Sequence, residues 1–397
     1  MATRSIRAGL LGAVFAAVVL VPAASGQAPI KVTLVKLTRV PLPKSALGPA
    51  GSSLPLARDS GVVSNAKAAS QSSAGVTAGK LTRLGRVSGY LIDYGNPFGS
   101  GAGIREIQTA VEWYRSAAAA RKALEFWRRD ELNNIQLRKL GLVLSFTRLR
   151  PSGMPGPHWV YASSGSIKGL DPIQGVDAEL QYGRYLLDIS VAAGSTSAAA
   201  RLVPTLARKL YQRIRLAVAG HVPAGSAKLP PPLRPGPPSH GPKPASLTLT
   251  PADLGGSATV VHKGYSKPES SLDENALSVY DQTMTSTGTF RLVSQEVLVG
   301  GNPLEAQYFG AIAVGAVGAA FGSGGKVTTL DLSGVGDDAR GELLQLTGNG
   351  RSAYEAVLAL THGTYLDFVG AVSPAPLTAA DVSRLARRAA KRLDAGF

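Results

Sequence analysis

The chain has no cysteine in 397 residues. This excludes a disulfide framework, a thiolate metal site, a thiol nucleophile and a lipidated cysteine. Charged residues are few, at 17%, and aromatics fewer, at 6%. Only five histidines occur: His158, His221, His240, His262 and His362. None stands in an HxxxH or HExxH spacing, so no zinc site is expected. No Gly-x-Ser-x-Gly elbow is followed by an ordered acid and histidine. Gly99 to Gly103 leads into a strand-like run, which removes the helix N-terminus that a nucleotide loop needs. Gly322-Ser323-Gly324-Gly325-Lys326 imitates the end of a P-loop. Ala320 and Val327 occupy the positions that motif reserves for its first Gly and its Ser/Thr. No cofactor is expected.

Acid is also scarce. Lys and Arg number 42 against 26 Asp and Glu, a formal charge of +16. The excess is uneven. Residues 27–221 hold 26 basic and 11 acidic side chains, while residues 245–397 hold 11 and 15. An anionic partner is therefore expected at the first half, and docking of the two oppositely charged halves on each other competes with it.

Arg4 and Arg7 precede an apolar run from Ala8 to Leu20, which Pro22 ends. With Ala24-Ser25-Gly26 following, residues 1–26 read as a signal peptide cleaved before Gln27. An uncleaved N-terminal anchor is the alternative. No later apolar stretch reaches eighteen residues; Tyr308 to Phe321 reads as a buried core helix. A secreted or extracytoplasmic protein is expected, and nucleic acid is not expected as a partner.

Nine prolines lie between Val222 and Ala245. Residues 222–245 are expected to form an extended linker, since proline lacks the N–H donor and fixes φ. It separates a first domain, 50–221, from a second, 246–397, with 27–49 as an extended N-terminal segment. Ser64 to Gly79 is expected to be a surface loop, and Lys31 to Val40 a strand.

The two domains read as a tandem repeat. Leu54, Leu56, Asp59, Gly61 and Gly89-Tyr90 match Leu247, Leu249, Asp253, Gly255 and Gly264-Tyr265. Tyr182-Gly183-Arg184-Tyr185-Leu186 matches His362-Gly363-Thr364-Tyr365-Leu366, and Leu206-Ala207-Arg208 matches Leu385-Ala386-Arg387. Each half is expected to hold two strands, a central helix, three strands and a final helix. The central helices are Ser116 to Leu132 and Leu304 to Phe321. Val382, Leu385, Ala386, Ala389 and Leu393 form the apolar stripe of the last helix. Gly183 and Gly363 serve the tight hairpin turns. The fold class is α+β: two similar domains, each a mostly antiparallel sheet with helices packed on it.

Leu332-Ser333-Gly334-Val335-Gly336-Asp337-Asp338-Ala339, the hairpin at His362-Gly363 and the final amphipathic helix resemble small bacterial extracytoplasmic α+β domains. These are the PsbP-like fold and the sensor domains of cell-envelope proteins. The resemblance implies ligand or partner binding more often than catalysis.

Two candidate sites follow. Arg115, Arg121, Lys122, Arg128, Arg129, Arg138 and Lys139 recur along the first central helix and its exit. They suit phosphate- or carboxylate-bearing envelope polymers or anionic lipid headgroups. Trp113 and Trp127, with Tyr90, Tyr94, Tyr114 and Phe126, suit a ligand groove or an ordinary core. Asp331, Asp337 and Asp338 form the one acidic turn; it lacks EF-hand spacing and reads as a solvated turn or a weak calcium candidate. A non-catalytic two-domain binding protein is the expected function. The alternatives are an enzyme with a dispersed Asp/Tyr site acting on an envelope polymer or small molecule, and a scaffold or inhibitor clamping a protein partner.

Overall fold

A computed structural model describes residues 37–57, 60–70, 72, 76–97, 103–132, 143–166, 172–227, 229, 235–255, 258–266, 276–321, 325–348 and 351–397. The signal-like residues 1–26, Arg138 and Lys139 lie outside these.

Each half is built on one seven-stranded sheet, and every strand pair is antiparallel. The first half contains β1 (Gly61–Val63), β2 (Arg86–Gly95), β3 (Ile104–Tyr114), β4 (Val143–Leu149), β5 (His158–Ser166), β6 (Ile173–Tyr182) and β7 (Tyr185–Ala193). Its helices are α1 (Asn65–Ser70), α2 (Ala78–Arg83), the central α3 (Ala117–Leu132) and the closing α4 (Thr196–Val218). Two single turns, α5 (Pro244–Leu247) and α6 (Pro251–Leu254), open the second half. Its strands are β8 (Thr259–Ser266), β9 (Ser278–Thr285), β10 (Leu292–Val299), β11 (Gly325–Thr329), β12 (Asp338–Gly348), β13 (Arg351–His362) and β14 (Tyr365–Ser373). Its central helix is α7 (Pro303–Phe321) and its closing helix α8 (Ala379–Asp394).

The two sheets have one topology. The strand order is β1-β2-β3-β7-β6-β5-β4 in the first and β8-β9-β10-β14-β13-β12-β11 in the second. Tyr185 faces Trp113 in one sheet and Tyr365 faces Val299 in the other, which fixes residue-by-residue correspondence. Gly183 and Gly363 take matching positive φ values of 55° and 54° in the β6–β7 and β13–β14 turns. Val382, Leu385, Ala386, Ala389 and Leu393 are all buried along α8, as are Leu206, Leu210 and Ile214 along α4. Each buried Leu or Ile contributes about 1.5–3 kcal/mol of transfer free energy.

Several expectations are corrected. Gly264-Tyr265 lies on β8, an edge strand, and so matches β1 rather than the strand of Gly89-Tyr90. The true partner of the 247–255 segment is 40–48. Leu42 N donates to Thr109 Oγ1 at 3.1 Å, and Leu249 N donates to Gln295 Oε1 at 2.8 Å on the corresponding strand. Gly48 and Gly255 follow with φ of 70° and 71°. Leu37, Val40, Leu42 and Leu47 are buried in the first core, so that core begins before residue 50. Of the expected strand Lys31 to Val40, the described residues 37–40 are a helix end and a turn, and Ser64 to Gly79 contains α1 and the start of α2. Among the described residues each half has seven strands, not five; the edge strands β1 and β8, which carry weak alternation, and a fourth strand after each central helix were not expected.

One arginine in each closing helix ties this opening segment down. Arg213 donates through Nε to Val40 O at 2.9 Å and through Nη1 to Ala224 O at 2.7 Å; Nη2 also reaches Arg39 O. Its counterpart Arg392 donates to Asp253 Oδ2 at 2.8 Å and Thr250 Oγ1 at 2.9 Å.

The sheets are sandwiched. One face of the first sheet packs on α4 through Ile107, Val111, Trp113, Leu187 and Val191. The other packs on α3 through Leu91, Ala110, Tyr114 and Leu186. In the second half, α8 and α7 hold the same places. No helix among the described residues is long and apolar enough to cross a membrane.

Candidate functional site: a charge-segregated first half

The central helix α3 is laid on the sheet by Ala120, Ala123, Leu124 and Trp127, an i, i+3, i+4, i+7 stripe that is buried throughout. That stripe forces the basic residues outward. Arg115, Arg121, Lys122 and Arg129 are exposed. Arg128 is half-buried: its Nη2 pairs with Glu125 Oε2 at 2.8 Å, and its guanidinium lies 4.4 Å from the Trp159 ring centre. Arg148 of β4 lies 4.1 Å from the same ring. The half-exposed Trp159 therefore gathers two cations at the rim of the helix.

Trp113 and Trp127 are not part of this surface. Alternation on β3 sends Trp113 to the α4 side and Tyr114 to the α3 side, and both are core. Trp113 is 8% exposed and Trp127 3%, so neither ring is open to a ligand. Tyr90 and Tyr94 are likewise buried on the α4 side. Trp127 is held by a buried network. Its Nε1 donates to Tyr114 Oη at 3.1 Å, and Tyr114 Oη donates to Glu112 Oε2 at 2.6 Å. Glu112 Oε1 accepts from Arg86 Nε at 3.0 Å. Burial pushes the Tyr114 hydroxyl well above its ordinary pKa, with the Glu112 charge adding to the rise.

The sheet face under α3 holds what the sequence did not single out. Asp93, Glu106, Glu112, Asp177, Glu179 and Asp188 are all buried there. Glu179 stands directly opposite Asp188 across β6 and β7. Asp177 accepts from Ser163 Oγ at 2.8 Å and from Ser190 Oγ, and Gln108 Nε2 donates to Asp93 Oδ2 at 3.3 Å.

The second half places its acids differently: Asp281, Glu296, Glu342 and Glu355 share the face under α7 but are only half-buried. By register, the six carboxylate positions of the first half correspond to Thr283, Leu292, Leu298, Val357, Ala359 and Phe368. The same scaffold thus puts apolar side chains at five of the six positions that hold buried carboxylates under α3.

This arrangement sorts charge by depth. Six of the eleven acids in residues 27–221 are withdrawn under the sheet. Arg86 is the one basic residue of that range that is buried among those described. The surface of the first half is therefore more basic than its composition, and the cations of α3 lie on it.

The acidic turn of the second half is three separate contacts. Asp331 Oδ1 accepts from Ser333 N at 3.0 Å, Asp337 Oδ2 from Gly363 N at 3.0 Å, and Asp338 Oδ2 pairs with Arg340 Nε at 2.9 Å. The bond from Ser333 holds the Asp331 carboxyl below its ordinary pKa. No group of three or more His, Cys, Asp or Glu suited to a metal is found among the described residues.

No family model matches the chain, and no curated protein matches it. Among solved structures, the chain is similar to the extracellular domain of PknH from Mycobacterium tuberculosis. The identity is 13% and the TM-score 0.30, covering 46% of this chain and 97% of that one. It is also similar to the di-domain ARO/CYC BexL from the BE-7585A biosynthetic pathway. There the identity is 9% and the TM-score 0.15, covering 80% of this chain and 90% of that one. At these TM-scores neither likeness bears on what the chain does.

Proposed function

We propose that the chain is an extracytoplasmic binding protein whose first half attaches to phosphate- or carboxylate-bearing envelope polymers or lipid headgroups. The observation that carries this reading is the sorting of charge: acids beneath α3, bases on its outer side. Opposite charge at an exposed surface acts over about 8–10 Å in physiological salt, enough for adhesion without a shaped pocket. The second half also exposes cations, Arg384, Arg387, Arg388 and Lys391 on α8, but its acids outnumber its bases by 15 to 11.

The test is charge reversal at exposed positions. Arg121→Glu, Lys122→Glu and Arg129→Glu together are expected to lower affinity for vesicles containing phosphatidylglycerol by about 100-fold, at about 1 kcal/mol for each cation lost. Sedimentation with such vesicles measures it. Unchanged retention would sink the reading.

A further inference from the structure

We propose that the two halves dock on each other through a latch between the β2–β3 turn and the start of α7. Asn96 Nδ2, just past β2, donates to Glu305 Oε2 at 2.8 Å. The same oxygen accepts from Gly301 N at 2.9 Å, and Glu305 N donates to Asn302 Oδ1 at 2.9 Å. The carboxylate is thus fixed from its own side by the helix cap and completed from the other half. Glu305 is only 2% exposed, and burial pushes its carboxyl above the ordinary range. Gly301 adjoins the contact: a Cβ there would stand 3.6 Å from Asn96 Nδ2.

The proline-rich segment keeps the halves close, because its described ends are each held by one half. Arg213 holds Ala224 O and Gly225 O, and the Leu229 side chain lies 3.6 Å from a Cβ built on Gly61. On the other side Ser278 Oγ donates to Gly236 O at 2.7 Å, and Tyr365 Oη donates to Pro242 O at 3.0 Å. From Leu229 to Gly236 the chain spans about 25 Å at full extension. A tether that short holds each half near the other at millimolar effective concentration. The charges agree, since a basic half meets an acidic one. The turn that Asn96 occupies joins the strands of Asp93 and Glu106, so the latch closes at one end of the carboxylate-rich face.

The absence of cysteine allows a clean test in the full chain. Arg105 O accepts from Asn96 N at 3.0 Å, so Arg105→Cys with Gly301→Cys makes a single thiol pair that keeps Asn96, and Arg105→Cys with the exposed Ser333→Cys makes a control. With a short bifunctional thiol reagent at low protein concentration, the first pair is expected to link within one molecule at least about tenfold faster than the control. Equal rates, or links only between molecules, would overturn the latch. A Cβ at 301 would come 2.9 Å from Glu305 Oε2, so a second measurement leaves that residue intact. Asn96→Ala is expected to raise the radius of gyration of the full chain in small-angle scattering. Identical dimensions for wild type and variant would also overturn it.

Discussion

Asp367→Asn is expected to stabilise the second half at pH 8.5 and to leave it unchanged near pH 3. Asp367 lies on β14 between Val297 and Leu360, on the face that packs against α8. It is completely buried, and burial pushes its carboxyl up to about 7, opposed only by the bond from Gln295. The facing residues of α8, Val382, Leu385, Ala386 and Ala389, carry no charge. Gln295 Nε2 donates to Asp367 Oδ2 at 2.7 Å, and Gln295 Oε1 accepts from Leu249 N. A raised carboxyl means that the folded state binds a proton the unfolded state has lost. Stability therefore falls as pH rises from about 4 to about 7, and the full cost, about 4 kcal/mol, is present above that range. Asparagine keeps the acceptor and removes the titration. All three tryptophans lie in the first half, so the readout is hydrogen exchange of α8 rather than fluorescence. A difference between wild type and variant that does not change with pH would contradict this account.

Glu112→Gln is expected to cost the first half about 3–5 kcal/mol. The Arg86 guanidinium is fully buried, and Glu112 is the carboxylate paired with it. Arg86 Nη1 also donates to Val63 O at 3.2 Å and Asn65 Oδ1 at 2.8 Å, which ties β1 and α1 to the sheet. Neutralising Glu112 leaves that cation in low dielectric without its counter-charge. Arg86→Met with Glu112→Leu is expected to cost far less than the two single changes summed, because no lone charge remains. Denaturation followed by Trp127 emission measures it, since Trp127 ends the same network. Additive losses would show that the pair is not coupled. Gly89 belongs to the same packing: a Cβ there would meet Arg86 Nη2 at 2.6 Å.

Much of the fold was legible in the chain. The 3.6-residue stripes of α4 and α8 and the Gly183 and Gly363 turns each carry a local signal, and each appears where expected. The repeat was legible in its later part, where five consecutive residues align, and misplaced at its start. A Gly-Tyr pair is too short to distinguish an edge strand from its neighbour. The basic helix was legible because its cations recur within fifteen residues. The carboxylate-rich face was not. Its members are scattered over β2, β3, β6 and β7, from Asp93 to Asp188. On each strand they alternate with apolar residues, as Asp177 and Glu179 do with Val176, Ala178 and Leu180. Such alternation ordinarily marks a sheet with one wet face. Here both faces are covered, and only the three-dimensional packing shows that the polar side is inside. The same limit applies to Trp113 and Trp127, whose composition signal is equal for a groove and for a core.

The central claim is that charge sorting makes the first half a polyanion-binding surface. The most direct measurement is affinity of the full chain for anionic vesicles from about 0.05 M to about 0.5 M salt, where the screening length shrinks several-fold. The account predicts a steep fall in affinity with salt, and a markedly shallower one for the Arg121, Lys122 and Arg129 charge-reversal variant. Affinity that is indifferent to salt, or an identical slope for the two proteins, would contradict it.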